Sequence, residues 1–184
     1  MSLKTIAITI SAVFLLGACS DSSHNDSLNS LVSTNSYDLI DLQGVEYEVV
    51  KEGKNFKLTG YEEKIIIFDI FATWCPPCRA AAPNLADLQK RHIKDVKVIG
   101  VLIEEDKENA YVQHFVDTYG AEYTISNGDE NRALSSAIAS ATDVGQNFPI
   151  PLMIMYYKGK YINHYVGAIP EEMVESDIKK ALKN

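Results

Sequence analysis

The stretch IIIFDIFATWCPPC, residues 65–78, decides how this chain folds. Its first seven residues form an apolar and largely β-branched run, which is typical of a strand buried on both faces of a sheet. A helical pattern follows from about Cys75 to His92, with Pro83 predicted to kink that helix. The stretch therefore predicts a buried strand that delivers Cys75 and Cys78 to the N-terminus of a helix.

A Cys-x-x-Cys pair at the start of a helix suits disulfide exchange. Unpaired backbone N–H groups and the helix dipole favour negative charge at this point. The thiolate is the nucleophile in disulfide exchange, so Cys75 lies where its reactive form is stabilised. Cys78, one helical turn later, is placed to attack a mixed disulfide formed by Cys75.

Other uses of a Cys-x-x-Cys pair fit this chain less well. A zinc site normally needs four Cys or His ligands, and the four histidines lack paired spacing. Covalent haem attachment needs a histidine where this chain has Arg79. A purely structural disulfide closing so short a loop would add little stability. We therefore predict no metal and no bound cofactor.

The composition is that of one globular domain, and its charge is acidic. The chain has 184 residues, of which 46% are hydrophobic and 23% charged. There are 17 Lys and Arg against 25 Asp and Glu, a net charge of −8. This charge argues against nucleic acid as the main partner, because phosphate binding needs a basic surface.

The N-terminus has the features of a targeting segment. A short basic region and an apolar stretch too short to span a bilayer end at Leu16-Gly17-Ala18-Cys19, which resembles a bacterial lipobox. We predict a lipoprotein signal peptide at 1–18, lipid attachment at Cys19, a flexible tether at 19–36 and a folded domain at 37–184. The alternative is an ordinary signal peptide that leaves Cys19 as a free thiol.

Periodicity and turn residues predict the elements of the domain. The expected architecture is α/β, a mixed central sheet with helices on both faces, preceded by a β-hairpin. The predicted strands are 37–42, 45–50, 65–71, 96–103, 122–125, 152–157 and 161–166, while 56–61 is ambiguous; the predicted helices after the first are 109–119, 130–141 and one opening at 170.

Five features together resemble the thioredoxin superfamily over roughly residues 37–184. They are the stretch DIFATWCPPC at 69–78, Pro83 within the first helix, Ile150-Pro151 before a strand, the turn Lys158-Gly159-Lys160, and Val166-Gly167-Ala168-Ile169 before the last helix. The resemblance implies a thioredoxin-like fold and a redox-active disulfide between Cys75 and Cys78.

Within that superfamily the chain is most similar to the TlpA/ResA group of membrane-tethered extracytoplasmic thiol–disulfide oxidoreductases. The FATWCPPC form and the leading hairpin carry this resemblance. Cys78 and Pro151 are 73 residues apart, a separation that implies a central insert, which we place at 122–148. That group often has a neutral residue where this chain has Asp69.

The resemblance implies a role for each residue of the CxxC segment. Cys75 is expected to be the exposed nucleophile and Cys78 the buried resolving thiol. Trp74 is expected to form a hydrophobic wall for substrate, with Pro76 and Pro77 beside it. The alternative for Trp74 is plain core packing.

Three residues outside this segment complete the predicted site. Pro151 is expected to follow a cis peptide bond, with Pro149 as the competing candidate. The backbone of Ile150 would then pair with an extended substrate strand. Asp69 is expected to be a buried acid that accepts the proton of Cys78. The alternative is an ordinarily solvated Asp69 at a sheet edge or loop.

The motif also predicts the direction of electron flow. Pro76 and Pro77 have no N–H to donate to the Cys75 sulfur, and no Lys or His lies between the cysteines. We therefore expect the pKa of Cys75 to be only modestly lowered. Strong oxidants stabilise their reduced form, so this expectation favours a reductant.

The leading hypothesis is a lipid-anchored oxidoreductase on the periplasmic side of a bacterial membrane. The resemblance implies reduction of protein disulfides, including those of apocytochrome c before haem attachment, and recharging by a membrane thiol reductant of the CcdA/DsbD type. One alternative is an oxidant or isomerase of secreted proteins. A second, from another class, is a soft-metal chaperone that binds Cu(I) through the two thiolates. A third is an inactive adhesion or scaffold lipoprotein.

Overall fold

The computed structural model describes residues 35–142 and 144–183. This part of the chain forms twelve helices and strands. In chain order they are β1 (Ser36–Ile40), β2 (Glu46–Glu52), β3 (Asn55–Leu58), β4 (Ile65–Phe71), α1 (Pro76–Arg91), β5 (Val96–Leu102), α2 (Asn109–Tyr119), β6 (Thr124–Ser126), α3 (Asn131–Ala141), β7 (Leu152–Tyr157), β8 (Lys160–Val166) and α4 (Glu171–Ala181).

A five-stranded mixed sheet with the order β6-β5-β4-β7-β8 forms the centre of the domain. Strand β4 lies in the middle, parallel to β5 and antiparallel to β7. All seven of its residues are buried, which explains why its sequence is an unbroken apolar run apart from Asp69. The site at the end of β4 therefore stands on the most enclosed strand of the sheet.

Two apolar clusters cover the two faces of this sheet. One contains both cysteines together with side chains of α1, α2 and α4, such as Leu85, Phe115 and Ile178. The other contains Leu134 of α3 and Phe56 of β3, so α3 and the N-terminal strands cover the opposite face. This arrangement confirms the predicted α/β, thioredoxin-like class with helices on both faces of a mixed sheet.

The N-terminal part has one strand more than the predicted hairpin. Strands β1, β2 and β3 form a separate three-stranded antiparallel sheet, and β3 comes from the stretch that the sequence left ambiguous. Strand β1 begins at Ser36, inside the range predicted as tether. The predicted signal peptide and Cys19 lie outside the described residues.

The remaining elements agree closely with the predicted ranges. Helix α2 has the predicted bounds and ends at Gly120, whose φ of 65° is the left-handed conformation that glycine adopts freely at a helix end. The range predicted as an insert contains β6, which pairs with β5 at the edge of the sheet, and α3. Within the described ranges no helix is both long enough and apolar enough to span a bilayer.

Candidate active site

The two cysteines form a disulfide at the N-terminus of α1. Cys75 is the N-cap of the helix, and Pro76 and Pro77 occupy its first positions, where a missing N–H costs nothing. The Cα atoms of Cys75 and Cys78 are 5.2 Å apart across the disulfide. The Cys78 N–H donates to the Cys75 Sγ at 3.3 Å. The helix start thus presents one backbone donor to the first sulfur.

The expectation that Cys75 is exposed is wrong for this disulfide form. Cys75 and Cys78 are each only 2% exposed. The Ile150 carbonyl oxygen lies 3.7 Å from the Cys75 Sγ and covers that side of the sulfur. The neighbouring Pro76 and Pro77 are exposed. A substrate therefore meets the residues around the disulfide before it meets the sulfur.

The peptide bond between Ile150 and Pro151 is cis, as predicted for Pro151 over Pro149. Pro151 is buried and Ile150 is half-buried. The Gly167 N–H donates to the Pro151 carbonyl at 2.8 Å and ties this turn to the end of β8. The cis step thus lies directly against the disulfide, although it is 75 residues from Cys75 in the sequence.

Trp74 is 60% exposed, so the alternative of plain core packing is wrong. A second aromatic side chain, Tyr111 of α2, is also half exposed near this point. Its hydroxyl lies 3.4 Å from the Thr73 Oγ1, one residue before Trp74. Exposed aromatic side chains from two parts of the chain therefore lie at the Thr73-Trp74 segment, which directly precedes Cys75.

Two charged residues that the sequence analysis missed anchor Thr73. Both the backbone N–H and the Oγ1 hydroxyl of Thr73 donate to the Glu104 carboxylate at 2.5 Å. The Arg79 Nε donates to the Thr73 carbonyl at 2.7 Å. In the segment before the CxxC, Thr73 is thus held by the Glu104 carboxylate at its N–H and hydroxyl and by the Arg79 guanidinium at its carbonyl.

The sequence did carry a signal for Glu104. Strands β4 and β5 are parallel, and Phe71 pairs with Leu102 at their ends. Two residues further along each chain lie Thr73 and Glu104, at the same edge of the sheet. An acidic residue directly after the neighbouring parallel strand is therefore a reasonable candidate for a contact near the cysteines.

The Arg79 side chain is engaged by Thr73 and Tyr119. Its guanidinium lies over the Tyr119 ring, 5.1 Å from the ring centre, while its Nε is engaged by Thr73. Arginine stacks in this way on aromatic rings. The side chain thus acts as a tie between α1, α2 and the active-site segment.

Asp69 is buried in the middle of β4, so the alternative of a solvated sheet-edge or loop residue is wrong. It is 2% exposed. Because side chains two residues apart in a strand point to the same face, Asp69 shares with Ile67 and Phe71 the face of the sheet that packs against the cysteines. The Tyr123 hydroxyl donates to its Oδ2 at 3.0 Å. Burial raises the pKa of Asp69 to about 7, and the Tyr123 hydrogen bond opposes this rise.

Metal ligands are not grouped in the part of the chain that the structure describes. No cluster of three or more His, Cys, Asp or Glu side chains with the geometry to hold a metal ion occurs in residues 35–142 and 144–183. The chemistry that these residues support is thiol–disulfide exchange at Cys75 and Cys78. The same face of the sheet carries the buried Asp69, whose pKa burial raises to about 7.

The Redoxin family model matches residues 32–182, which is most of the chain. The chain belongs to the Redoxin family. This Redoxin protein is 25% identical over 130 residues to the thiol–disulfide oxidoreductase ResA of Bacillus anthracis, a match that covers 70% of each chain. Together with the Cys75–Cys78 disulfide, these matches identify the Redoxin protein as a thiol–disulfide oxidoreductase similar to the TlpA/ResA group, as predicted.

Solved structures agree on the fold of this Redoxin protein. A thiol:disulfide interchange protein of the thioredoxin family from Chlorobium tepidum superposes with a TM-score of 0.62 at 22% identity, covering 81% of this chain and 94% of that one. An exposed lipoprotein thioredoxin from Streptococcus pneumoniae superposes with a TM-score of 0.56 at 15% identity, covering 79% and 98%. At these sequence identities, both structural similarities show the fold alone.

Proposed function

We propose that this Redoxin protein is a membrane-tethered, extracytoplasmic reductant of protein disulfides. In the reduced form the Cys75 thiolate attacks one sulfur of a substrate disulfide, and the other substrate sulfur leaves as a thiolate. The Cys78 thiolate then attacks the Cys75 sulfur, so that the Cys75–Cys78 bond forms and the remaining substrate sulfur is released. The protein loses two electrons, and the substrate disulfide gains them.

The small number of groups that can stabilise a Cys75 thiolate is the observation that supports reduction of the substrate rather than its oxidation. Among the described residues its one backbone donor is the Cys78 N–H, since Pro76 and Pro77 have none. The Arg79 guanidinium is engaged by Thr73 and Tyr119. A helix dipole supplies typically about 0.3–1 kcal/mol, whereas one pKa unit requires about 1.4 kcal/mol. A weakly stabilised thiolate favours donation of electrons.

The residues around the disulfide support an extended protein segment as substrate. The Ile150 backbone, presented by the cis step at Pro151, would pair with a strand of the substrate. Its carbonyl already lies 3.7 Å from the Cys75 Sγ, where a substrate cysteine must arrive. The exposed Trp74, with Pro76 and Pro77, would provide the apolar contacts of that segment.

Asp69 would accept the proton of Cys78 during the second exchange. Its carboxyl group lies on the cysteine side of the sheet, and burial raises its pKa to about 7. Such a group is partly ionised near neutral pH, so it can take up and release a proton. The TlpA/ResA group often has a neutral residue at this place, so Asp69 departs from the pattern of that group.

The proposed location and partners come from the sequence. The lipobox-like Leu16-Gly17-Ala18-Cys19 supports lipid attachment at Cys19, followed by a polar tether. The resemblance to the TlpA/ResA group supports apocytochrome c as a substrate and a membrane thiol reductant of the CcdA/DsbD type as the electron donor.

The test is the redox state of the two cysteines in the native cell, trapped by acid quenching and thiol alkylation. We expect mostly reduced Cys75 and Cys78, and their oxidation when the membrane thiol reductant is deleted. Mostly oxidised cysteines at steady state would overturn the reducing direction and favour the oxidant or isomerase alternative.

A trapping experiment identifies the substrates independently of that direction. C78S should accumulate mixed disulfides between Cys75 and its substrates, whereas C75S, the matched control, should accumulate none. Loss of lipid labelling in C19S tests the anchor separately. Tight anaerobic Cu(I) binding by wild-type protein, without mixed disulfides in C78S, would instead support the metal-chaperone alternative.

A further inference from the structure

A buried tyrosine reaches Asp69 from a distant part of the chain. Tyr123 lies just before β6, is 9% exposed, and donates its hydroxyl to the Asp69 Oδ2 at 3.0 Å across a sequence separation of 54 residues. Asp69 Oδ1 is without a hydrogen-bond partner among the described residues. The phenol is thus the side chain that holds one oxygen of the carboxyl group.

The space for this contact is created by a glycine on the strand between them. Gly100 of β5 pairs directly with Asp69 of β4. A Cβ atom at Gly100 would lie 3.1 Å from the Cε2 atom of Tyr123 and 2.6 Å from the Cδ1 atom of Ile125. The Tyr123 ring therefore crosses β5 over the position where any other residue would place a side chain.

We propose that Tyr123 is a positioning residue that sets the pH at which Asp69 can take the proton of Cys78. This inference rests on the proposed function, because it concerns the second exchange step. In that step the proton moves from the Cys78 sulfur to the Asp69 carboxylate, and the thiolate so formed attacks the Cys75 sulfur. Tyr123 touches neither the substrate nor the sulfurs in this scheme.

The direction of the effect follows from what the hydroxyl donates to. A hydroxyl that donates to a carboxylate stabilises its ionised form, so Tyr123 keeps the pKa of Asp69 lower than burial alone would. Burial also raises the pKa of Tyr123 well above its usual value, so the phenol stays protonated and remains a donor. Asp69 is thereby available as a proton acceptor closer to neutral pH.

Other ionisable side chains on this face of the sheet have partners of their own. Burial and the Tyr123 hydroxyl are the two causes that act on Asp69. Besides the two cysteines, four ionisable residues lie at or around the apolar cluster on the cysteine side of the sheet. Arg79 contacts Tyr119, Glu104 accepts from Thr73, Tyr157 lies beside Lys158, and Tyr165 donates to Asp177.

The test separates the two exchange steps by pH. Reduced protein is mixed with glutathione disulfide between pH 5.5 and 9, quenched with acid and alkylated, and the mixed disulfide and the oxidised form are quantified by mass spectrometry. In Y123F we expect the midpoint for conversion of mixed disulfide to the Cys75–Cys78 form to rise by about one pH unit. Below the midpoints this step should slow about fivefold to tenfold, with mixed-disulfide formation unchanged.

Y165F is the matched control. Tyr165 is also buried and also donates to an aspartate, at 2.8 Å from Asp177 Oδ2, but it lies on β8. Its midpoint should equal that of the wild type. Equal midpoints for the wild type, Y123F and Y165F would overturn the inference. Failure of wild-type protein to form a mixed disulfide at Cys75 would instead overturn the proposed function.

A second variant covers the case in which Y123F does not fold. Placing 3-fluorotyrosine at position 123 keeps the ring and makes its hydroxyl a stronger donor. The midpoint should then move to lower pH than in the wild type, and an unchanged midpoint would overturn the inference. The pKa of Asp69, measured by carbon-13 NMR titration of its carboxyl group, should likewise be higher in Y123F and lower with 3-fluorotyrosine than in the wild type. This measurement does not depend on activity.

Discussion

Replacing Asp69 by asparagine should change how the stability of the oxidised protein depends on pH. In the disulfide form the cysteines do not titrate, and Asp69 is a buried group whose protonation links pH to folding. D69N removes that titration while keeping a similar shape and an oxygen that can accept from Tyr123. The quantity to compare is the difference in the free energy of unfolding between wild-type and D69N protein at each pH.

The magnitude follows from the pKa of Asp69, which burial raises from 3.8 to about 7. Between these values the folded protein binds a proton that the unfolded chain has released, so the free energy of unfolding falls as pH rises. Each pKa unit is worth 1.36 kcal/mol, so the full effect is about 4 kcal/mol. Most of it, about 2.5 kcal/mol, should be lost between pH 5 and pH 8.

The assay is urea denaturation of oxidised wild-type and D69N protein from pH 5 to pH 8. The wild type should lose about 2.5 kcal/mol relative to D69N over this range. D87N is a matched control, because Asp87 is exposed on α1 and its replacement removes the same formal charge. The D87N and wild-type curves should run parallel.

Parallel curves for D69N and the wild type would refute the reasoning. Such a result would mean that Asp69 is ionised in the folded protein as readily as in the unfolded chain. The proposal that it exchanges a proton with Cys78 near neutral pH would then fall with it.

Two further predictions concern the segment before the cysteines. E104A should lower the free energy of unfolding by about 2–3 kcal/mol, because two donors of Thr73 lose a charged acceptor, and E104Q should lose less; a loss below about 0.5 kcal/mol in urea denaturation would contradict this. W74A should leave stability nearly unchanged, since Trp74 is 60% exposed, but should raise the KM for a protein disulfide such as insulin about tenfold. An equal change in KM for glutathione disulfide would argue against a protein-binding role for Trp74.

The anchoring of Thr73 gives the active-site segment its own connection to the sheet. Glu104 follows β5 and Arg79 follows the CxxC, so this segment is held from both the sheet and α1. Lys107 lies 3.4 Å from the Glu104 carboxylate and also over the Tyr111 ring. A substitution at any of these positions should therefore change the position of Trp74 through Thr73 rather than through the sulfurs.

Features set by neighbouring residues could be predicted from the sequence. The apolar run before Cys75 required a buried strand, the two prolines after it suited the first positions of a helix, and Gly120 ended α2 where predicted. These predictions succeed because hydrophobic period, missing N–H groups and glycine conformation act over a few residues. Apart from β3, the sequence alone therefore determined the order of elements, and it placed Cys75 and Cys78 at the start of α1.

Contacts between residues far apart in the chain were decided only by the tertiary structure. Cover of the Cys75 sulfur by Ile150, the hydrogen bonds from Thr73 to Glu104, and the position of Tyr123 against Asp69 each join separate elements. They depend on the register of β4 with β5 and on which strands flank β4, and no local pattern specifies either. The sequence by itself determined that two cysteines start a helix, and the packing of distant elements decided how enclosed those cysteines are and which side chain contacts Asp69.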